Sequence, residues 1–78
     1  MTTLTADQVL DCSGMACPMP IIKTKKAMDA LQVGQVLKMI STDAGSVPDI
    51  EAFTRRTGHL LLNHATEGKA HIFYIRKA

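Results

Sequence analysis

Gln8-Val9-Leu10-Asp11-Cys12-Ser13-Gly14-Met15-Ala16-Cys17-Pro18-Met19-Pro20-Ile21-Ile22-Lys23 changes its periodicity part-way along. Gln8-Val9-Leu10-Asp11 reads as a short strand, and Ser13-Gly14 as the turn that ends it. From Pro18 to Leu31 the spacing becomes helical. At about 100° per residue, Pro20, Ile21, Thr24, Ala27, Met28 and Leu31 fall within one third of the circumference, with Lys23 and Lys26 on the opposite side. Strand, tight turn and amphipathic helix in succession predict the first half of a β-α-β crossover.

Working outward, Gly34 ends the helical region, and Val36-Leu37-Lys38-Met39-Ile40-Ser41 alternates as the next strand. Ser46-Val47-Pro48-Asp49 has the composition of a helix start, with Ser46 as N-cap and Pro48 in the first turn. Gly58 is the matching stop, Val47, Ile50 and Phe53 form the apolar side, and Arg55 and Arg56 lie near the C-terminus, where the helix dipole favours cations. Two further strands, about 59–65 and 70–77, are joined by Thr66-Glu67-Gly68-Lys69, a hairpin composition. The order β-α-β-α-β-β predicts an α+β fold, a two-layer sandwich with both helices on one face of a four-stranded sheet. The other sheet face is left partly bare, carrying Ile72 and Tyr74.

A chain of 78 residues with 46% hydrophobic content forms one small globular domain, residues 1–78, with little material for a deep cavity of its own. Such a module is expected to act against partner proteins. The start, Met1 to Asp7, lacks the basic and apolar regions of an export signal, and no later apolar run has the length of a membrane span. The cytoplasm is the expected compartment, and there the two cysteines are expected as thiols. A net charge of +2 falls short of a typical nucleic-acid binder.

Cys17 is the residue with chemistry to explain. If it is the N-cap, Pro18 and Pro20 occupy helix positions N1 and N3, whose amides lack intrahelical partners in any case, and the amides of Met19 and Ile21 remain to face the sulfur. Those donors and the positive helix end would favour the thiolate and lower its pKa. Pro18 and Pro20 also restrict the backbone at Cys17 and Met19, which would hold the thiol at a rigid exposed tip. The alternative is that Cys17 is a small buried apolar residue, a common fate of a free cysteine.

Leu10 to Ala27, with Cys17-Pro18-Met19-Pro20 at its centre, closely resembles the signature of the TusA/SirA family of small sulfur-carrier proteins. Thr42-Asp43-Ala44-Gly45-Ser46, Asp49-Ile50, Phe53, Thr57-Gly58 and Phe73-Tyr74-Ile75-Arg76-Lys77 extend the likeness over nearly the whole chain. The resemblance implies a mixed four-stranded sheet and a sulfurtransferase-type carrier, rather than a stand-alone turnover enzyme. Cys17 would take a sulfane sulfur as a persulfide from a cysteine desulfurase or rhodanese-type donor and pass it to an acceptor cysteine, on a protein of DsrE/TusBCD type. No cofactor and no metal are implied, and the chain is expected to be a monomer with no direct contact to nucleic acid. Pro18, Pro20 and Gly14 support the motif; Met15, Met19, Lys23, Lys26, Arg55 and Arg56 are candidates for partner docking. The sulfur pathways such carriers serve are tRNA thiolation, molybdenum cofactor assembly and sulfur oxidation.

Two positions depart from the family pattern. Cys12 stands where relatives usually carry another residue; its strand parity with Leu10 assigns it to the core, the alternative being a partner that resolves a Cys17 persulfide. Ala16 replaces a position that is often polar or basic. His59, His64 and His71 lack the short spacing of a zinc site. Two other functions remain to be weighed: an RNA-binding module using the basic helical face, and a thiol redox enzyme that needs both cysteines.

Overall fold

The computed structural model describes residues 5–78, so the stretch read for an export signal lies in part, residues 1–4, outside the described residues. The elements are β1 (Gln8–Cys12), α1 (Met19–Ala30), β2 (Val36–Ser41), α2 (Ser46–Thr57), β3 (Leu60–Glu67) and β4 (Ala70–Arg76). They form the expected β-α-β-α-β-β order, with the strands side by side as β1-β2-β4-β3. β1 pairs parallel to β2, while β2 with β4 and β4 with β3 are antiparallel, so the sheet is mixed. A β-α-β crossover makes the first pairing parallel, and a two-residue hairpin makes the last antiparallel.

Alternation along the strands sends one side chain set into the core. Leu37 and Met39 of β2 stand opposite Ile75 and Phe73 of β4, and all four are fully buried. Met28 of α1 and Ile50 and Phe53 of α2 close over them from one side. The helical face read from spacing is the face that packs: Pro20, Thr24, Met28 and Leu31 are buried, and Ile21 and Ala27 are half-buried against the core. Thr24 satisfies its buried hydroxyl by donating to the Pro20 carbonyl at 2.7 Å, which makes a polar residue tolerable on that face. Ile72 and Tyr74 have the opposite parity and lie half-buried on the helix-free side, where Lys38 Nζ sits 5.9 Å from the Tyr74 ring centre.

Two local expectations change. Ser46 is not the N-cap of α2; Gly45 is, and the cap position carries no side-chain hydrogen bond. Ser46 lies inside the helix and buried, its hydroxyl 2.7 Å from that of Ser41, because the turn before it is already closed by Asp43, whose backbone carbonyl accepts the Ser46 N–H at 2.9 Å. β3 runs on to Glu67, which leaves Gly68 and Lys69 as the hairpin turn. The register of β3 against β4 also shifts between Leu61 and Asn63, a bulge with no signal in the alternation.

Gly58 ends α2 as expected. It adopts φ +83° and donates its N–H to the Thr54 carbonyl at 2.9 Å, the left-handed C-terminal cap that a side chain disfavours. Gly58→Ala is expected to cost about 1–2 kcal/mol. In a domain of this size each such kcal/mol lowers Tm by roughly 4–8 °C, which a thermal melt resolves.

Candidate functional site

Because β1 and β2 are parallel neighbours with Cys12 beside Ser41, their C-terminal ends open at the same edge of the sheet. The loop that leaves β1 and the loop that leaves β2 are therefore side by side, the place where α/β folds most often hold their reactive groups. Gly14, at φ +80°, donates its N–H to Thr42 Oγ1 at 2.8 Å. The Cys17 N–H donates to Asp43 Oδ2 at 2.9 Å, and the other oxygen of Asp43 accepts the Gly45 N–H at 3.0 Å. One carboxylate thus ties the two loops together. The Cys17–Pro18 peptide bond is cis. Cys17 is exposed, and its thiol donates to Asp49 Oδ2 from α2 at 3.2 Å.

This geometry corrects the expected electrostatics of the thiol. α1 begins at Met19 with Pro18 as its N-cap, so Cys17 precedes the cap and Pro20 is the second helical residue. The Met19 N–H is engaged by the Ala16 carbonyl at 3.0 Å, and neither proline has an amide hydrogen, so the helix start has few donors left for the sulfur. Carboxylates face it instead. The hydrogen bond to Asp49 holds the Cys17 thiol above its ordinary pKa, aided by desolvation and by the charges of Asp49 and Asp43. Asp43 shifts the other way: the Gly45 and Cys17 amides stabilise its charge and hold it below the usual carboxylate range. The free protein at neutral pH therefore carries Cys17 as a thiol. The rate of iodoacetamide alkylation at Cys17 is expected to rise through a midpoint above the ordinary cysteine value of about 8.5. A midpoint below that value would contradict the contact with Asp49.

Cys12 is fully buried in the core, and burial raises its pKa also. It takes the core place that strand parity assigned, and the two cysteines are free thiols. The remaining sequence candidates divide by position. Met19 is exposed in the first turn of α1 after Cys17, together with Ile22, which the sequence reading passed over. Met15 is half-buried against the core. Lys23 and Lys26 line a shallow groove with Leu10 and Ala27 where α1 passes β1. Arg55 and Arg56 are exposed in the last turn of α2, whereas Asp49 lies in its first half; six residues of helix, about 9 Å, separate Arg55 from the carboxylate at the thiol. The histidines form no metal cluster: among the described residues no group of three potential ligands converges. His64 stacks on Phe73 at 4.7 Å, and His59 Nδ1 accepts the Ala78 N–H at 3.0 Å.

Asp43 and Asp49 are the residues at the thiol to which sequence reasoning assigned no role. The available signal was topological: a parallel β1-β2 pair must place whatever follows Ser41 next to whatever follows Cys12. Among the described residues no helix is long and apolar enough to cross a membrane.

A family profile described as sulfurtransferase TusA matches residues 8–77. The chain belongs to the TusA family. Among its relatives, the putative sulfur carrier protein YrkI of Bacillus subtilis is 46% identical over 95% of this chain and 99% of its own length. The sulfur carrier protein TusA of Allochromatium vinosum is 47% identical over 92% of this chain and 95% of its own. The crystal structure of a SirA-like protein from Desulfitobacterium hafniense superimposes with a TM-score of 0.78, covering 88% of this chain and 95% of that one at 20% identity. At that identity the likeness speaks for the fold. In this chain the Cys-Pro-x-Pro loop lies at the open end of the parallel strand pair.

Proposed function

We propose that this TusA-family chain is a sulfur carrier that works as a single domain, taking up a sulfane sulfur on Cys17 and handing it to a cysteine of an acceptor protein. The observation that carries this reading is the contrast between the two thiols: Cys17 stands exposed at a loop tip fixed by Asp43, while Cys12 is enclosed in the core. In loading, the Cys17 thiolate attacks the outer sulfur of a donor persulfide; a new S–S bond forms to Cys17, and the donor cysteine leaves as a thiolate and takes up a proton. In delivery, an acceptor thiolate attacks the outer sulfur on Cys17, and Cys17 is the leaving group. Neither step consumes an oxidant or requires a cofactor.

The donor is a cysteine desulfurase or a rhodanese-type protein, and the acceptor a protein of DsrE/TusBCD type, meeting a monomeric carrier in the cytoplasm. tRNA thiolation, cofactor assembly and sulfur oxidation each need such a relay. Exposed Met19 and Ile22, in the first turn of the helix that follows Cys17, supply an apolar contact for either partner, and Lys23 and Lys26 suit an acidic rim. Labelled sulfur from a desulfurase supplied with cysteine tests the relay. The label is expected to appear on this chain and then on the acceptor; direct passage from donor to acceptor at the same rate without this chain would overturn the reading.

A further inference from the structure

A nucleophilic cysteine is ordinarily helped by a neighbouring cation, yet Cys17 is bonded to one carboxylate through its sulfur and to a second through its amide. Among the described residues neither Asp49 nor Asp43 forms an ion pair; the pair present is Lys25 with Asp29, at 3.9 Å on the outside of α1. Asp49 makes no other side-chain hydrogen bond among the described residues, although as the acidic residue of the first turn of α2 it also suits the helix dipole. An anionic group beside the thiol works against uptake of sulfur, which needs a thiolate. On a sulfur bound beyond Cys17 the same charge favours the protonated form, at some cost to Cys17 as a leaving group.

An S–S–H group is a stronger acid than a thiol, and its two ionisation states behave oppositely. The ionised outer sulfur is a nucleophile that repels an incoming thiolate. The protonated outer sulfur is the electrophile that a thiolate attacks. A carrier that must surrender its sulfur needs the second state at neutral pH. The outer sulfur would sit one S–S bond, about 2 Å, beyond Cys17 Sγ, within reach of the carboxylate that already bonds Sγ at 3.2 Å.

We propose that Asp49, with Asp43 behind it, keeps the outer sulfur of loaded Cys17 protonated and so in the form an acceptor thiolate can attack. Delivery then balances as Cys17–S–SH plus acceptor–S⁻ giving Cys17–S⁻ plus acceptor–S–SH. The acceptor's bond to the outer sulfur forms as the bond to Cys17 breaks, and Cys17 regains a proton from water. The groups that set this protonation are Asp49 from α2 and Asp43 from the loop after β2. His71 from β4 acts on Asp43, and Lys23 from α1 acts on Cys12 rather than on Cys17. The proposal rests on the carrier reading, and it assigns Asp49 to delivery.

The test uses the full chain loaded chemically with inorganic polysulfide, and glutathione as the acceptor. Plotted against pH, delivery by the protonated outer sulfur to the glutathione thiolate is expected to rise, level off and fall: because S–S–H is the stronger acid, the acid limb ends at the ionisation of the outer sulfur and the alkaline limb begins at that of glutathione. Asp49→Asn is expected to move the acid limb down by about one pH unit, a shift typical of one adjacent charge, and to slow delivery about tenfold on the plateau above it. The alkaline limb keeps its midpoint, and Asp49→Glu restores the acid one. The near-ultraviolet absorbance of the persulfide anion, titrated on the same samples, is expected to shift with that limb. An unmoved acid limb, or Asp49→Asn delivering as fast as the parent above neutrality, would overturn the proposal. Refusal of sulfur from a donor protein by the parent chain would instead overturn the carrier reading, leaving the titration of the polysulfide-loaded chain intact as a readout.

Discussion

Phe73→Ala is expected to lower folding stability by about 3–5 kcal/mol, the usual cost of emptying a buried aromatic site. Phe73 is fully buried, stands opposite Met39 on β2, and has the His64 ring stacked on its outer side. It therefore joins the two central strands to β3. A domain of this length has on the order of 4–12 kcal/mol of stability in total, so the loss brings the variant near its unfolding threshold at growth temperature. Urea titration followed by circular dichroism checks it. Phe73→Leu, which retains most of the volume, is expected to keep more than half of the lost stability. If Phe73→Ala cost less than about 1 kcal/mol, the core described around β2 and β4 would be wrong.

Cys17→Ser is expected to abolish sulfur uptake altogether while leaving the fold intact. Its side chain is exposed and makes one contact, to Asp49, which a serine hydroxyl can also make. Serine cannot form a persulfide, so the loss is qualitative. Cys12→Ser has the reverse profile: it places a hydroxyl in the apolar core and costs stability, but the folded fraction should load normally. A thiol redox enzyme would behave otherwise, since both substitutions would remove activity equally. The two variants, each measured for melting temperature and for sulfur uptake, separate these alternatives.

Much of the fold is legible in the sequence because it rests on period. The alternation of Leu37, Met39 and Ser41, and the helical spacing of Pro20, Thr24, Met28 and Leu31, select the residues that are buried. Turn chemistry is legible where one residue decides it, as at Gly58 and Gly68, both at positive φ. What escapes is set by neighbours remote in sequence. Ser46 resembles a helix cap until Ser41 claims its hydroxyl, and the β3 bulge leaves the alternation of Leu60 to Asn63 without a marker. At the site, Cys17 stands out through its prolines, but the sign of its electrostatics does not, since the Asp49 carboxylate comes from 32 residues away. A helix start near a cysteine suggests an activated thiolate only while nothing else approaches the sulfur. Here Asp49 does, with Asp43 on the neighbouring amide, and together they hold the thiol above its ordinary pKa.

The central claim is that Cys17 carries sulfur, and intact-mass spectrometry of the chain after incubation with a sulfane-sulfur donor tests it most directly. The predicted result is a gain of one sulfur atom, mapped by peptide fragmentation to Cys17 and removed by a reducing thiol. An unchanged mass, or added sulfur found on Cys12, would contradict it.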